Sequence, residues 1–352
     1  MTYSLRNWQS ACFQQLVNAW GEPGSRQLVA ACPGSGKTYF ACMASKHALD
    51  LAMVEVVIVV CPSITIKWQW RDEMRKLAIK AHAKADNEAL RMRRDTNQHG
   101  TGGWTVLCVT YQQIAQDIEL FMHIAANHNT LLIADEVHHA DDKETFGRAL
   151  SALAEQAHLR LALSGTPFNT AGGALSMVES ETMINDEGRV IRKALPLFTY
   201  SYGDALAEPT GDVCRPVEFI KVYGKGESTY RTLTDELFQK LVDLARQNKT
   251  DSIGALLDPD GDFMQESAMQ SLAALADLKR HDKRAAMLVV TKDTAHGARV
   301  RKLIERLQRE HPEFRHFSIV EIYNDTPKAH ERIKSLNQDQ TDIVITVRMI
   351  SE

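Results

Sequence analysis

Short runs of apolar, largely β-branched residues constrain the fold more than any other feature of this sequence. The run EVVIVVCP is apolar without a break from Val56 to Cys61 and stops at a proline. An unbroken apolar run of this length is typical of a strand buried on both faces of a parallel sheet. Helical or polar patterns separate it from similar runs, so the sequence predicts a doubly wound α/β sheet. The similar runs are QLVAAC, WTVLCVT, TLLIADE and LRLALSG.

Chain length and the order of these runs predict two domains. The 352 residues are enough for two hydrophobic cores. We predict a first domain over residues 1–170, a connecting region over 171–212, and a second domain over 213–352, where a further series of strand and helix patterns begins. Helical patterns within about 226–284 interrupt that series, and we predict that they form a helical insertion.

Composition and charge are those of an ordinary globular protein, with 44% hydrophobic and 24% charged residues. No apolar run approaches the roughly 18 to 20 residues of a membrane span, and the N-terminal residues lack a signal-peptide pattern. The six cysteines are scattered without a C-x-x-C pair. These features predict a cytoplasmic protein with no membrane partner. The net charge of −4 does not exclude nucleic acid, because binding needs only a local basic strip.

The segment ACPGSGKT lies between a predicted strand and a predicted helix. Glycines Gly34 and Gly36 allow the backbone to turn so that N–H groups point at phosphate oxygens, and the helix N-terminus adds its positive end. Lys37 would neutralise phosphates, and the Thr38 hydroxyl would bind Mg²⁺. The alternative is a simple glycine turn, since Ala31 replaces the first glycine of the strict pattern. We predict a phosphate-binding loop formed by Pro33, Gly34, Ser35, Gly36, Lys37 and Thr38.

The run TLLIADEVHHA ends a strand pattern with two carboxylates, Asp135 and Glu136. Asp135 offers the oxygen ligand that Mg²⁺ prefers, and Glu136 could activate the water that attacks a γ-phosphate. Alone, such a pair is often a solvated turn, but the phosphate-binding loop upstream favours the functional interpretation. His138 and His139 could suggest zinc, yet neighbouring histidines are expected to point apart and no third ligand is evident.

The motifs PGSGKT, DEVH and LSGTPF occur in this order, each at the end of a strand pattern. Together they resemble superfamily 2 helicases and translocases of the DEAD/DEAH-box class, in the branch that includes motor subunits of type I and type III restriction enzymes. The resemblance spans nearly the whole chain and implies two tandem RecA-like domains that use ATP and Mg²⁺. The segment LRNWQSAC resembles the adenine-reading segment of that branch, which assigns Gln9 to the base, with Arg6 assisting. The implied catalytic residues are Lys37, Asp135, Glu136 and His138.

The resemblance also implies contacts to nucleic acid. Motif Ia is resembled by VVCPSITIKWQW and the Ib region by VTYQQI, and both of these motifs touch the nucleic-acid backbone. Motif III, which couples the ATP state to the nucleic-acid strand, is resembled by SGTPF. Motif IV is resembled by MLVVTKDTAHGARV. The predicted motif Ia helix interleaves basic residues with tryptophans. Its basic face either contacts phosphates and bases or is simply solvated, with the tryptophans in the core. The residues implied in contact or coupling are Pro62, Ser63, Lys67, Thr110, Tyr111, Ser164, Thr166, Thr291 and Arg348.

The final residues, DIVITVRMISE, resemble a strand that in this family continues into motif V and is followed by an arginine-bearing motif VI. Only three strands and two helices are predicted after Ala285. We therefore expect an incomplete second RecA-like domain, a chain truncated within motif V, and weak ATP turnover because the arginine finger is missing.

The resulting hypothesis is an ATP-dependent DNA helicase or translocase in a phage-defence or DNA-repair setting. The box reads DEVH, which favours DNA over RNA. The alternatives are an RNA-dependent ATPase and a nucleotide-gated module that binds nucleic acid without productive hydrolysis. No nuclease motif is apparent in the sequence, so a nuclease or other system subunits are candidate partners.

Overall fold

The computed structural model divides into two compact units, Met1–Val217 and Glu218–Glu352. The structure describes residues 4–21, 26–84, 86–90, 105–140, 145–166, 174–184, 190–208, 213, 257–323, 326, 332–333, 335–336 and 341–347.

The first unit is built on a seven-stranded sheet in the order β3-β4-β2-β5-β6-β1-β9, and every neighbouring pair in it is parallel. Two further strands, β7 and β8, form a separate antiparallel pair. The strands are β1 (Gln27–Ala31), β2 (Val56–Cys61), β3 (Ala81–His82), β4 (Val106–Thr110), β5 (Thr130–Ala134), β6 (Leu159–Ser164), β7 (Ser180–Ile184), β8 (Val190–Ala194) and β9 (Phe198–Tyr200).

Helices cover both faces of this sheet, which explains its unbroken apolar strands. In β2 all six residues are buried: Val57 and Val59 pack in one core, and Ile58 and Val60 pack in the other. The first core contains side chains of α1, α2, α3 and α7, and the second contains those of α4, α5 and α6. The helices are α1 (Asn7–Ala19), α2 (Lys37–Asp50), α3 (Ile64–Lys76), α4 (Tyr111–Gln116), α5 (Ile118–Asn127), α6 (Thr145–Gln156) and α7 (Tyr202–Ala207).

Two strands of the seven-stranded sheet, β3 and β9, were not predicted, and neither was the separate pair β7 and β8. β3 has two residues and β9 has three, too few for an apolar run or an alternating pattern to be recognised. β9 lies within the predicted connecting region but pairs with β1 in the first unit's sheet. The backbone N–H of Cys32, just after β1, donates to the carbonyl of Tyr200 (2.9 Å), so β9 supports the start of the glycine-rich loop.

The second unit contains a three-stranded parallel sheet in the order β10-β12-β11. Leu272 of one described helix and Val300 and Leu303 of another pack in one core with Ile343 and Ile345 of the central strand. These elements agree with the predicted strands and helices. They are α8 (Asp262–His281), β10 (Met287–Val290), α9 (Thr294–Glu310), β11 (Ile319–Ile322) and β12 (Ile343–Thr346).

The sequence also predicts a strand at VCRPVEFIKVY and helices over 228–247 and 327–336. The strand apart from Val213, the first helix and most of the second helix lie outside the described residues. Among the residues that the structure describes, no helix is long and apolar enough to cross a membrane.

Candidate active site

The glycine-rich loop joins β1 to α2 at the carboxyl edge of the first sheet. Gly34 and Gly36 have φ values of +77° and +93°, a left-handed conformation that glycine adopts without steric cost. Gly36 is the N-cap of α2, and Lys37 is the helix's first residue. The first N–H groups of the helix have no partners within it, so the loop and the helix end together form a concentration of backbone donors suited to phosphate.

We expect Gly36→Ala to destabilise the first unit. A left-handed alanine costs about 1–2 kcal/mol, and its Cβ would lie 2.9 Å from Nε2 of Gln9, which must then move. The measurement is the thermal unfolding midpoint. Gly203→Ala is the matched control, because its Cβ would meet only Ser201 Oγ at 3.5 Å. An unchanged midpoint in Gly36→Ala would contradict the left-handed loop.

The Lys37 side chain joins the loop to the end of β5. Its Nζ donates to the carbonyl of Ala31 (2.8 Å) and lies 3.5 Å from Oε1 of Glu136. The residue is only 8% exposed. Because β6 separates β1 from β5, this contact brings residues from two non-adjacent strands together at the sheet edge.

Asp135 follows β5 directly and is held on three sides. Its backbone N–H donates to the carbonyl of Val60, its own carbonyl accepts from the Tyr111 hydroxyl (both 2.9 Å), and Oδ2 of its carboxylate accepts from Nε1 of Trp70 (2.6 Å). Burial raises the pKa of this carboxyl to about 6, although the Trp70 hydrogen bond and Lys37 act in the opposite direction. A buried carboxylate of this kind is stabilised by a nearby cation.

Glu136 and His138 contact the segment after β6. Oε2 of Glu136 accepts from the backbone N–H of Gly165 (3.2 Å) and lies 3.4 Å from Nδ1 of His138. That nitrogen is 3.0 Å from Oγ of Ser164 and 3.5 Å from Oγ1 of Thr166. Burial and, after it, the neighbouring His139 lower the pKa of His138, against the effect of Glu136. The DEVH and SGT segments are therefore in direct contact.

The two histidines do not diverge as expected. The ring centroids of His138 and His139 are 4.4 Å apart with an interplanar angle of 36°, so that expectation was wrong. Within the described part of the chain, no group of three or more His, Cys, Asp or Glu side chains could hold a metal ion.

The start of α1 lies against the glycine-rich loop. The Arg6 guanidinium and the Trp8 indole N–H both donate to the carbonyl of Ser35 (3.2 Å each), and Nε2 of Gln9 donates to the carbonyl of Gly36 (3.0 Å). Trp8 also stacks on Tyr200 of β9, with ring centroids 5.0 Å apart. The residues predicted to read adenine are therefore adjacent to the residues predicted to bind phosphate.

The residues predicted to contact nucleic acid lie at the same sheet edge. Ser63 and Thr110 are the N-caps of α3 and α4, which follow the adjacent strands β2 and β4. Pro62 directly precedes Ser63. Lys67 is only 8% exposed, and its Nζ donates to Oε1 of Gln113 (3.1 Å). Burial lowers its pKa, so in this arrangement Lys67 links two helices and does not present an open cation.

The remaining predicted residues belong to the second unit. Thr291, just after β10, is buried, and its backbone N–H and hydroxyl both donate to the carbonyl of Thr346 (2.8 and 3.1 Å). Arg348 lies outside the described residues.

Trp70 and Gln113 are site features that the sequence analysis did not assign. The tryptophan was interpreted only as a base-stacking or core residue, and the glutamine was not singled out. Alternation of Trp68 and Trp70 with basic residues was the available signal. It could not indicate that Trp70 is fully buried against Asp135 while Trp68 packs under Arg71, whose guanidinium lies 4.3 Å from the ring centroid.

Comparison with known proteins finds a family similar to the first part of the chain. Residues 2–169 match the family described as "Type III restriction enzyme, res subunit". This match confirms the resemblance that the motifs predicted. The chain is also 28% identical over 350 residues to the uncharacterized protein Rv2917 of Mycobacterium tuberculosis and 27% identical to ML1624 of Mycobacterium leprae. In both cases the alignment covers 99% of this chain and 54% of the relative, so the chain spans about half the length of these relatives.

A solved structure shares the fold over the whole chain. It is described as "ATP-dependent Type ISP restriction-modification enzyme LlaBIII bound to DNA", with a TM-score of 0.57 and 14% identity. The alignment covers 100% of this chain and 25% of that protein. This likeness, together with the two parallel sheets, confirms the predicted class of tandem RecA-like α/β domains.

Proposed function

We propose that this chain, whose residues 2–169 match the res-subunit family of type III restriction enzymes, is the ATP-hydrolysing motor region of a helicase or translocase that acts on DNA. The observation that carries the proposal is the contact of Lys37 with Glu136 (3.5 Å) across the sheet edge, beside the buried Asp135. A lysine at a helix N-terminus facing two acidic residues at a strand end suits the hydrolysis of a nucleoside triphosphate.

The residues at this edge fit Mg²⁺. Asp135 supplies a buried carboxylate whose pKa is raised by burial, and Thr38 supplies a hydroxyl in the first turn of α2. Mg²⁺ bound here would supply positive charge that neutralises the phosphates. Thr38 and Asp135 would hold it, while backbone N–H groups of the loop, such as those of Gly34 and Gly36, would face the phosphates.

Phosphate binding would change the partner of Lys37. In the structure, the lysine ammonium lies beside Glu136. Phosphate oxygens compete for that ammonium, which leaves the Glu136 carboxylate able to accept a proton from the attacking water. His138 contacts both Glu136 and Ser164, the last residue of β6. We propose that these contacts and the segment after β6 transmit the nucleotide state to the bound DNA strand.

DNA is the proposed track. The N-termini of α3 and α4, capped by Ser63 and Thr110, follow the neighbouring strands β2 and β4, and the N-terminus of α3 can offer backbone N–H groups to a phosphate. The DEVH sequence favours DNA over RNA, and so does the similarity in fold to LlaBIII, a restriction-modification enzyme whose solved structure is bound to DNA.

Equilibrium binding of labelled duplex DNA, single-stranded DNA and RNA tests this function. We expect DNA to bind more tightly than RNA, and a non-hydrolysable ATP analogue to change DNA affinity at least about fivefold relative to ADP. Tighter binding of RNA would favour an RNA-dependent ATPase. Nucleotide-dependent DNA binding without any hydrolysis would favour a gated binding module. Equal affinities in all nucleotide states would contradict nucleotide-coupled binding of either kind.

A further inference from the structure

We propose that Trp70 and Tyr111 are positioning residues that tie the two helices at the nucleic-acid edge, α3 and α4, to the Mg²⁺-binding carboxylate Asp135. This inference rests on the proposed function, because it assigns a role toward the metal and the track. It goes beyond that function by naming the contacts that couple the nucleic-acid edge of the site to the carboxylate that would bind Mg²⁺.

The contact from α3 is a charge-assisted hydrogen bond. Nε1 of Trp70 donates to Oδ2 of Asp135 at 2.6 Å, and the two residues are 0% and 5% exposed. Such bonds to a carboxylate are about twice as strong as neutral ones and fix its orientation. Because this donor engages Oδ2, the plane of the carboxylate is set by a side chain of α3.

The contact from α4 is made to the backbone carbonyl of the same residue, Asp135. Tyr111, the first residue of α4, is 2% exposed, and its hydroxyl donates to the carbonyl of Asp135 at 2.9 Å. Thr110, directly before it, caps the helix at the edge where phosphate contact is proposed. A shift of α4 on binding DNA therefore acts on the Asp135 peptide through one rigid side chain.

A third buried contact makes the two helices move together. Nζ of Lys67, one turn before Trp70 on α3, donates to Oε1 of Gln113 on α4 at 3.1 Å. Both residues are 8% exposed. The N-caps of both helices, the Lys67–Gln113 bond and the two bonds to Asp135 form one continuous path from the track side to the metal side.

Partners of metal ligands commonly change metal affinity about 10–100-fold when they are removed. We therefore expect Trp70→Phe to raise the Mg²⁺ concentration needed for tight binding of a fluorescent ATP analogue about tenfold. We expect Tyr111→Phe, which removes only a hydroxyl, to act in the same direction. Nucleotide affinity measured in EDTA should stay unchanged, because the hydrogen bonds that the structure gives these two side chains go to Asp135.

Trp20→Phe is the matched control. Trp20 is also a buried tryptophan, and its Nε1 donates to the carbonyl of Arg160 (3.4 Å), near the amino end of β6 and away from the site. A loss of packing alone would lower the unfolding midpoint in Trp20→Phe and Trp70→Phe without changing the Mg²⁺ requirement. The second readout is the factor by which duplex DNA changes Mg²⁺-nucleotide affinity, which should shrink only in Trp70→Phe and Tyr111→Phe.

The outcomes separate this inference from the proposed function. If the wild-type protein binds nucleotide in a Mg²⁺-dependent way and both site variants match it, the inference is wrong and the function stands. An equal loss of affinity with Mg²⁺ and with EDTA would also overturn the inference, because it would indicate damaged packing. If the wild-type protein binds no nucleotide, the function and the inference fail together. If Trp70→Phe does not fold, Tyr111→Phe decides.

Discussion

Lys37→Ala is expected to lower ATP affinity and any ATP hydrolysis about 10²–10³-fold. The side chain supplies the cation at the N-terminus of α2, is only 8% exposed, and reaches both the loop carbonyl of Ala31 and Glu136. Its loss removes the charge that would neutralise the phosphates and leaves Glu136 without this counter-ion. Titration of a fluorescent ATP analogue and steady-state phosphate release measure the two effects.

Lys46→Ala is the control for this substitution. Lys46 lies on the same helix, has a side chain that is 40% exposed, and pairs with Asp50 four residues later (2.9 Å), an interaction of about 0.3–0.5 kcal/mol. We expect Lys46→Ala to bind ATP like the wild-type protein. Equal affinities for Lys37→Ala and Lys46→Ala would contradict a phosphate site at the glycine-rich loop.

Glu136→Gln is expected to lower the rate of ATP hydrolysis about 10²–10⁴-fold, while ATP binding persists. Glutamine keeps the shape of the side chain and can still accept the hydrogen bond from Gly165 N–H (3.2 Å), but it cannot accept a proton from water. Single-turnover hydrolysis and ATP binding in the presence of Mg²⁺ separate the two effects.

The comparison for Glu136→Gln is Glu155→Gln, at an exposed position on α6. We expect it to hydrolyse ATP at the wild-type rate. Unreduced hydrolysis in Glu136→Gln would assign the proton acceptor to another group. Parallel loss of binding and hydrolysis would indicate that Glu136 acts chiefly by holding Lys37.

Much of the fold could be predicted because burial on both faces is visible in the sequence. The runs that became β1, β2, β4, β5 and β6 are mostly apolar, and Gly34, Gly36 and Lys37 mark the turn into α2 with residue types that have few structural alternatives. Because parallel strands end at one edge, the order of the motifs also predicts that their side chains lie near one another.

The contacts between helices could not be predicted in the same way. Trp70 and Lys67 lie on one helix among other tryptophans and cations, and nothing in their spacing indicates that one bonds to Asp135 and the other to Gln113. Lys67 looked like a surface cation, yet it is buried, because the position of α4 decides its environment. The short strand β9 joins the sheet through backbone pairing, which leaves almost no mark on residue type.

The most direct test of the proposed function is steady-state ATP hydrolysis with no nucleic acid, single-stranded DNA, duplex DNA and RNA, with Lys37→Ala measured in parallel. We predict turnover that DNA stimulates more than RNA and that Lys37→Ala lowers about 10²–10³-fold. The test compares the hydrolysis rates between these conditions and does not depend on their absolute values. The chain spans about half the length of its relatives, so its absolute rate can be low. The absence of any Lys37-dependent hydrolysis, with or without nucleic acid, would contradict the proposal that this chain is an ATP-driven motor.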